Sequence, residues 1–308
     1  MAFLALDLGG SHATCAVVDR GSVLASEHIA LTQTTFIEPA LPEITRSLKR
    51  MLQTTTSPVE GLGVGFCGLV DSTTNRVTST NGKFVGALQL DFVHWSERSF
   101  GLPLRLENDA RLALRGEMSA GAAKGISDVV MFTLGTGIGG VAAMDGQPLR
   151  GAHGQAGVLA GHVPVRMAGR RCTCGGRGCA EAEASGWALP AICREWPSFA
   201  ASVLSRRAIT FLELFRAASE DDRVAIEVRD HCLEVWGMMT VAAVHAFDPQ
   251  LVIFGGGVMG AAAQILPFVR EYVSNNAWVP WGDVRVEPAA LGTMAALLGV
   301  PALFGKEI

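Results

Sequence analysis

Apolar stretches separated by glycine-containing turns open the chain and predict a β-meander. Residues 3–8 are apolar apart from Asp7, and Gly9-Gly10 follows them directly. Residues 14–18 and 23–30 continue the pattern on either side of a second turn. Short apolar runs bounded by glycine are typical of strands joined by tight connections.

The same pattern recurs about 130 residues later and indicates an internal duplication. Residues 129–134 and 138–144 flank the turn Gly135-Thr136-Gly137, and Asp145-Gly146 then supplies a strong hairpin signal. We expect each copy to begin one domain.

Strand-like and helix-like segments alternate in the rest of the chain, which predicts the α/β class. Helical periodicity covers residues 38–54, 110–120, 209–218, 222–247, 261–273 and 289–304. Further strands are expected at residues 61–66, 103–106 and 251–254. The weakly patterned stretch 120–127 is the expected domain boundary.

Length and composition narrow the class of protein. A chain of 308 residues has the length of about two domains and can bury a core without disulfides or metals. A net charge of −4 disfavours nucleic-acid binding, which depends on clustered basic residues. No apolar run reaches about 18 residues and the N-terminal stretch lacks a basic start, so neither a membrane span nor a signal peptide is predicted. The expected location is the cytoplasm.

Glycine-rich loops directly follow three of the predicted strands, at residues 9–10, 135–140 and 255–260. The last two fit the GxGxxG pattern of dinucleotide-binding proteins, but one leads into a strand and the other has too few strands after it. One interpretation is that the glycines only allow tight turns, but three such loops, each directly after a strand, argue for more. The alternative is that exposed backbone N–H groups hold phosphate oxygens, in a site unlike the GxxxxGK[ST] loop, which the sequence lacks.

Asp7 is an acidic residue within an apolar strand. A buried carboxylate is costly unless it is paired or bound to a metal. Beside Gly9-Gly10 it is a candidate for holding hydrated Mg²⁺, the alternative being a solvated aspartate at a strand end.

A cluster of metal-binding residue types lies in the second half of the chain. His162, Cys172, Cys174 and Cys179 supply one imidazole and three thiols within eighteen residues. This ligand set is common in structural zinc sites, and four protein ligands would close the coordination shell. The alternative, free thiols in a glycine- and arginine-rich loop, would leave three reactive groups exposed.

Asn108 and Asp109 stand between a predicted strand and a predicted helix, where α/β proteins place their ligands. Asp109 would accept a proton from a hydroxyl group that Asn108 orients. The alternative is a helix N-cap, for which asparagine and aspartate are both favoured.

These residues together resemble the ROK family (repressor, open reading frame, kinase), and the resemblance extends over essentially the whole chain. Asp7-Leu8-Gly9-Gly10-Ser11 resembles the first phosphate motif of the family. Residues 135–140 resemble its second phosphate motif. Residues 254–258, which include Gly255, Gly256 and Gly257, resemble its adenosine motif.

The segments that contact sugar in this family also have counterparts here. Residues 66–71 resemble the PGxVD segment, with Cys67 in place of the proline. Asn81 with Phe84 resembles the asparagine-plus-aromatic sugar loop, and residues 107–110 are similar to ENDA, whose aspartate is the catalytic base. The most specific match is CxCGxxGCxExxxS, which runs from Cys172 to Ser185 downstream of the zinc histidine His162.

The resemblance implies duplicated ribonuclease H-like domains of the actin-like ATPase fold, with a cleft between them. A small N-terminal domain would span residues 1–118 and be completed by a C-terminal helix at about 292–308. A large domain would span residues 119–291 and carry the zinc loop.

The resemblance also implies ATP-dependent phosphorylation of a hexose hydroxyl, most often the 6-OH, with Mg-ATP and structural zinc as cofactors. Asp109 would be the general base, and Asp7 would hold Mg²⁺ through water. The residues expected to bind phosphate are Gly9, Gly10, Ser11, Gly135, Thr136 and Gly137. Those expected to contact sugar are Gly68, Asn81, Asn108, Asp109, His162 and Glu181.

Two positions depart from the family pattern. The family usually has Glu-x-Gly-His, with a sugar-binding glutamate, where this chain has Leu159-Ala160-Gly161-His162. Ser11-His12 replaces the common Thr-Lys in the first phosphate motif. The identity of the sugar is therefore open, and an amino, N-acetyl or otherwise modified hexose is an alternative substrate.

Two other functions compete with the kinase. ROK repressors carry a helix-turn-helix before the first phosphate motif, and with Asp7 so near the start we expect none here. A catalytically weakened sugar-binding protein is the second alternative, against which Asp109 argues. The expected partners are a sugar and a nucleotide, with polyphosphate as an alternative donor, and a homodimer is the expected assembly.

Overall fold

The computed structural model describes residues 1–10, 12–31, 35–80 and 82–305. Ser11, expected to bind phosphate, and Asn81, expected to bind sugar, lie outside these ranges.

The secondary-structure elements are numbered along the chain. The strands are β1 (Ala2–Leu8), β2 (His12–Asp19), β3 (Ser22–Ala30), β4 (Val59–Phe66), β5 (Leu69–Asp71), β6 (Arg76–Ser79), β7 (Leu104–Asn108), β8 (Val129–Leu134), β9 (Ile138–Met144), β10 (Gln147–Pro148), β11 (Leu251–Gly255) and β12 (Arg285–Pro288). The helices are α1 (Leu41–Thr54), α2 (Phe92–Phe100), α3 (Asp109–Ala120), α4 (Ala180–Ala184), α5 (Leu189–Glu195), α6 (Phe211–Ser219), α7 (Arg223–Phe247), α8 (Ala262–Asn276) and α9 (Ala295–Leu298).

The chain divides into two compact units. The first contains residues 1–125, residues 147–156 and the C-terminal segment from Ala290 onward; the second contains residues 126–146 and 157–289. The weakly patterned stretch 120–127 contains the division after Gly125. The family resemblance implies a boundary at 118/119 and places residues 147–156 in the large domain. Those residues group with the first unit because side chains of β7 and α3 bind them, as described below.

The two units repeat one strand order. In the first, the order is β3-β2-β1-β4-β7, with β1 antiparallel to β2 and parallel to β4, and with β4 parallel to β7. In the second, β9-β8-β11-β12 follows the same rule, with β8 antiparallel to β9 and parallel to β11. The predicted α/β class and the internal duplication are confirmed.

The tight turns of the two copies also match. Arg20 and Gly21 have φ angles of 47° and 74°, and Asp145 and Gly146 have φ angles of 51° and 73°. Two consecutive left-handed residues are typical of the hairpin turns whose twist suits the flanking strands.

Side chains of β1 alternate between two buried faces. Leu4 and Leu6 belong to the core formed with α1 and α2, whereas Phe3 and Ala5 belong to the core formed with α3 and the C-terminal segment. Because successive strand residues point to opposite faces, Asp7 projects on the same side as Phe3 and Ala5. Its carboxylate is therefore directed toward α3.

The C-terminal segment does not form the single helix predicted over residues 289–304. Only Ala295–Leu298 is α-helical, between 3₁₀ turns at Gly292–Met294 and Val300–Phe304. Gly299 lies against α3, where an added Cβ would come within 2.1 Å of the Leu112 carbonyl oxygen. Close backbone packing at this glycine and the missing N–H of Pro301 end the helix.

Buried Glu117 of α3 holds the start of this segment. Its Oε2 accepts hydrogen bonds from the backbone N–H groups of Ala122 at 2.8 Å and Ala290 at 3.1 Å, and its Oε1 accepts one from Leu291 at 2.8 Å. Bonds to an ionised acceptor are stronger than neutral ones. A single side chain thus joins the end of the chain to the first unit.

Within the described ranges, no helix has both the length and the apolar character that a bilayer crossing requires.

Candidate active site and metal centre

The carboxyl ends of three parallel strands bring the candidate residues of the first unit together. Asp7 on β1 pairs with Gly65 on β4, and Gly65 pairs with Glu107 on β7, two residues before Asp109. A Cβ added to Gly65 would lie 3.3 Å from Asp7 Oδ1 and 3.5 Å from the Asp109 Cα. Asp7 and Asp109 therefore flank the same glycine.

Asn108, not Asp109, caps α3. The Asn108 Oδ1 accepts a hydrogen bond from the Arg111 N–H at 3.0 Å, and its Nδ2 donates to the Gly68 carbonyl oxygen at 3.1 Å and to Asp109 Oδ1 at 3.0 Å. Asp109 Oδ1 also accepts from the Ala110 N–H at 2.8 Å. Asp109 Oδ2 accepts no hydrogen bond from any described residue, so this oxygen remains available for chemistry.

Burial perturbs the ionisation of both carboxylates. Desolvation, with a smaller contribution from the charge of Asp109, raises the pKa of Asp7 to about 7. Burial raises the pKa of Asp109 to about 6, against the opposing effect of hydrogen bonds from Ala110 and Asn108 and of the charge of Lys83. Asp7 Oδ1 is sealed from solvent and has no hydrogen-bond partner among the described residues. Paired acids with raised pKa values are characteristic of functional sites.

A buried network of ion pairs supports the end of β7 and the start of α3. Glu107 is fully buried and forms ion pairs with Arg111 at 2.9 Å and Arg150 at 2.7 Å. Arg111 also donates to the Gly154 carbonyl oxygen at 2.9 Å. These contacts attach residues 147–156 to β7 and α3 and fix the backbone that precedes Asp109.

A cavity of about 540 Å³ opens beside the glycine turn of the second unit. Its walls come from this turn, from the connection between α4 and α5, from α6, and from the first turn of α8 with the segment before it. The lining includes Gly135, Thr136, Trp187, Phe211, Phe215, Arg216, Gly257, Val258 and Gln264. Its size and mixed apolar and polar walls suit a drug-sized or cofactor-sized ligand.

Trp187 connects this cavity to Glu181. The Trp187 Nε1–H donates to Glu181 Oε1 at 3.2 Å, and Glu181 Oε2 accepts from the Ile138 N–H at 2.9 Å. The Trp187 N–H also donates to the Thr136 carbonyl oxygen at 2.9 Å. The buried Glu181 carboxylate is therefore oriented by the glycine turn and by a side chain of the cavity wall.

The four predicted zinc ligands converge on one point. The ligand atoms of His162, Cys172, Cys174 and Cys179 all lie within 4.8 Å of one another. His162 Nδ1 is 3.4 Å from Cys172 Sγ, and Cys174 Sγ is 3.6 Å from Cys179 Sγ. Tetrahedral zinc with typical bond lengths would separate these atom pairs by about 3.6 and about 3.8 Å, respectively, so the donor set fits the ion.

Backbone hydrogen bonds shape the cysteine loop into a small hairpin. The Val165 N–H donates to the Gly178 carbonyl oxygen at 2.8 Å, and the Ala180 N–H donates to Val163 at 3.0 Å. Gly178 has a φ angle of 67°, and a Cβ there would overlap the Arg166 carbonyl group. Cys179 immediately precedes α4, which carries Glu181. The His162 Nε2, opposite the cluster, makes no hydrogen bond to a described residue.

Leu159 borders a different hollow, of about 270 Å³. Its neighbours there are Phe132 of β8 and the apolar side chains Met239, Ala243 and Phe247 of α7. Leu159 itself is 46% exposed. A glutamate at this position would lie against an apolar wall.

Comparison with known proteins identifies the family. The model of the ROK family matches residues 3–307. The chain belongs to the ROK family. The glucokinase of Thermotoga maritima is 28% identical over 314 residues, covering 99% of this chain and 98% of that protein. The N-acetylmannosamine kinase of Citrobacter koseri is 30% identical, with 98% of each chain covered. The solved structure of a ROK family glucokinase from Streptomyces griseus, in complex with glucose and AMPPNP, superposes with a TM-score of 0.77 at 28% identity, covering 98% of this chain and 99% of that one.

The sequence alone did not identify several residues that lie at these sites in the ROK chain. Trp187, Phe211, Phe215 and Arg216 line the larger cavity, and Lys83 lies beside the first glycine turn. The position of Trp187, immediately after Ser185-Gly186, was the one available signal for it. The others lie on helices or loops whose local patterns are those of ordinary amphipathic segments.

Replacing Asp7 with asparagine should stabilise the ligand-free protein at neutral pH. When the pKa of an acid is higher in the folded state than in the unfolded state, the folded protein loses stability as pH rises from about 4 through about 7. The neutral amide avoids that loss. We expect Asp7→Asn to raise the free energy of unfolding at pH 7.5 by about 1–3 kcal/mol, and by less at pH 4.5. Thermal unfolding at the two pH values, with the exposed Asp283→Asn as control, measures this. A variant less stable than wild type at pH 7.5 would contradict the assigned pKa direction.

Proposed function

We propose that this ROK protein is a sugar kinase that transfers the terminal phosphoryl group of ATP to a hydroxyl group of a hexose or hexose derivative, with the 6-OH as the acceptor. The observation that carries the proposal is that the carboxylate of Asp109 keeps one oxygen without a hydrogen-bond partner among the described residues and has a pKa of about 6. Similarity to a glucokinase and to an N-acetylmannosamine kinase over nearly the whole chain supports the kinase class.

Asp109 acts as the general base. It accepts the proton of the sugar hydroxyl at Oδ2 while Asn108 holds Oδ1 and the hydroxyl is oriented for attack. A general base works best when its pKa lies near the operating pH, which a value of about 6 satisfies. Phosphoryl transfer otherwise depends on positioning and charge stabilisation.

Mg²⁺ fits the first unit at Asp7. The buried Asp7 Oδ1, which has no hydrogen-bond partner among the described residues, is the kind of acceptor that a hydrated cation satisfies. A nearby cation would hold this carboxylate in its ionised form. When bound, the ion would neutralise charge on the phosphate oxygens. The backbone of Gly9 and Gly10 would provide N–H groups to the same phosphates.

The nucleotide belongs in the larger cavity of the second unit. The glycine turn at Gly135-Thr136-Gly137 would hold phosphate oxygens, and Gly255, Gly256 and Gly257 would accommodate the adenosine. The apolar faces of Trp187 and Phe215 suit a purine base, and the volume of about 540 Å³ is sufficient for a nucleoside. This cavity supports ATP as the donor in preference to polyphosphate.

The residues that would contact the sugar are those that the family resemblance implies. They are Asn108, Asp109 and the Gly68 backbone, His162 through its Nε2, and Glu181; Asn81 belongs to this proposal from the sequence. The Nδ1 of His162 and the three thiolates would hold zinc, and the bound ion would fix the orientation of that imidazole and of the start of α4.

Leu159 bears on the identity of the sugar, because its apolar side chain favours a modified hexose over an unmodified one. It stands where the family has an acceptor for sugar hydroxyls, and its surroundings are apolar. Desolvating a hydroxyl without a partner is penalised, whereas an acetyl methyl group would gain contact area. An N-acetyl hexose is thus the second candidate substrate beside glucose.

Asp109→Ala should abolish turnover and leave nucleotide binding intact. General-base catalysis contributes about 10²- to 10⁴-fold, and loss of hydroxyl orientation adds to this. The rate is measured by coupled ADP release with a panel of hexoses, and AMPPNP affinity by calorimetry. The control is Asp283→Ala at an exposed position. A variant that keeps more than about a tenth of wild-type kcat would refute the assignment of the base.

Purified protein should contain one zinc ion per chain. Cys174→Ala should lose most of the metal and weaken sugar binding, while the chain stays folded, because domains of this size do not depend on a metal for their core. Elemental analysis and circular dichroism provide the measurements, with Cys232→Ala, a buried cysteine outside the cluster, as the control. Zinc-free protein with full sugar affinity would exclude the structural role.

Leu159→Glu should shift sugar preference toward unmodified hexoses. A charged hydrogen bond is worth about 1.5–3 kcal/mol, so kcat/KM for glucose should rise by roughly 10- to 150-fold relative to N-acetyl sugars. Leu159→Ala, which removes the side chain without adding an acceptor, is the matched control. Identical sugar rankings for all three proteins would mean that Leu159 does not face the sugar.

A further inference from the structure

Lys83 occupies a defined position beside the first glycine turn. Its backbone N–H donates to the Thr80 carbonyl oxygen at 3.0 Å, and the next residue, Phe84, is fully buried in a left-handed conformation. The Phe84 ring packs on Phe66 with a centroid distance of 6.1 Å. The backbone at Lys83 is therefore anchored on both sides.

The ammonium group of Lys83 fills the space that Gly10 leaves open. A Cβ added to Gly10 would lie 2.5 Å from Lys83 Nζ and 3.7 Å from its Cε. The positive charge of Lys83 also acts on Asp109 and on Cys67, where it opposes the larger effect of burial, which raises the pKa of both groups. Lys83 Nζ is thus adjacent to the loop proposed to hold phosphate and within electrostatic reach of the proposed base.

This cation has no fixed anionic partner in the part of the chain that the structure describes. The residues from 1 to 10, 12 to 31, 35 to 80 and 82 to 305 provide no hydrogen bond or ion pair to Lys83 Nζ, although the side chain is half-buried. An ammonium group has three donors, and withdrawing it from water without an anion is unfavourable. His12, which follows the glycine turn, has its pKa lowered by burial and by the charge of His28, which disfavours the protonated imidazole. Lys83 therefore places a positive charge at this turn.

We propose that Lys83 is a catalytic residue that binds the phosphoryl group during its transfer to the sugar hydroxyl. The proposal rests on the kinase function above. The bond between the terminal phosphorus and the bridging oxygen of ATP breaks as the bond to the sugar oxygen forms, and the hydroxyl proton goes to Asp109. Lys83 keeps its own protons and forms no covalent bond. Its positive charge stabilises the negative charge of the phosphoryl oxygens in the transition state.

The test compares Lys83→Met, which removes the charge, with Lys83→Arg, which keeps it. Loss of one electrostatic stabiliser typically costs about 10²- to 10³-fold in kcat. We expect this loss in Lys83→Met, with a KM for the sugar within about 3-fold of wild type, and we expect Lys83→Arg to recover at least 10-fold of the loss. Lys49→Met, on the exposed side of α1, is the control. Lys83→Ala serves as a second neutral variant if Lys83→Met does not fold, and added ethylammonium should partly restore its rate.

A binding measurement distinguishes a lysine that binds the phosphoryl group from one that only binds the sugar before the reaction. Lys83→Met should lose at least 10-fold in affinity for glucose 6-phosphate and keep its affinity for glucose. Equal losses for both ligands, or a kcat within 3-fold of wild type, would overturn the proposal. If Asp109→Ala retains turnover, the kinase mechanism fails; if Asp109→Ala is inactive and Lys83→Met is fully active, only the role of Lys83 fails.

Discussion

A row of glycines along β4 is the constraint on which the first unit depends. Gly61, Gly63 and Gly65 share one face of the strand, where added Cβ atoms would meet Phe304, Val300 and the Asp7–Leu112 pair, respectively. Glycine in a strand commonly marks the close approach of another segment. Because this face has no side chains, α3 and the C-terminal segment lie directly on the sheet. That close packing is what brings the start of α3, and with it Asp109, next to Asp7.

The same packing accounts for the electrostatics of the carboxylates. Two acids confined between a sheet and a helix lose solvation, and their pKa values rise to about 7 and about 6. This arrangement costs folding stability at neutral pH, because both acids ionise more readily in the unfolded chain. Glu107, by contrast, is fully buried but paired with two arginines, so it stabilises the backbone that carries Asp109.

In the second unit, the loop that carries the three clustered cysteines helps to position the carboxylate of Glu181. The cysteine loop is closed by short-range backbone hydrogen bonds, and its last ligand, Cys179, leads directly into α4 and Glu181. Trp187 and Ile138 then hold the Glu181 carboxylate from the glycine turn. Orientation of one carboxylate thus depends on the metal loop, the turn and the wall of the larger cavity together. Ligand groups supported in this way are held more precisely than groups on free loops.

The sequence by itself determined the features that depend on local pattern. The duplicated strand and turn order, the four residues of the candidate metal cluster and the junction at Asn108-Asp109 follow from spacing, turn chemistry and capping preference within short windows. Tertiary structure alone decided the features that depend on distant contacts. Residues 147–156 belong to the first unit because Arg111 binds Gly154 and Arg150 binds Glu107, and residues 289–304 do not form one helix because Gly299 lies against α3. Likewise, Lys83 reaches Gly10 across more than 70 residues of chain. No local pattern predicts such a contact, because it is set by the packing of β1, β4 and the loop after β6.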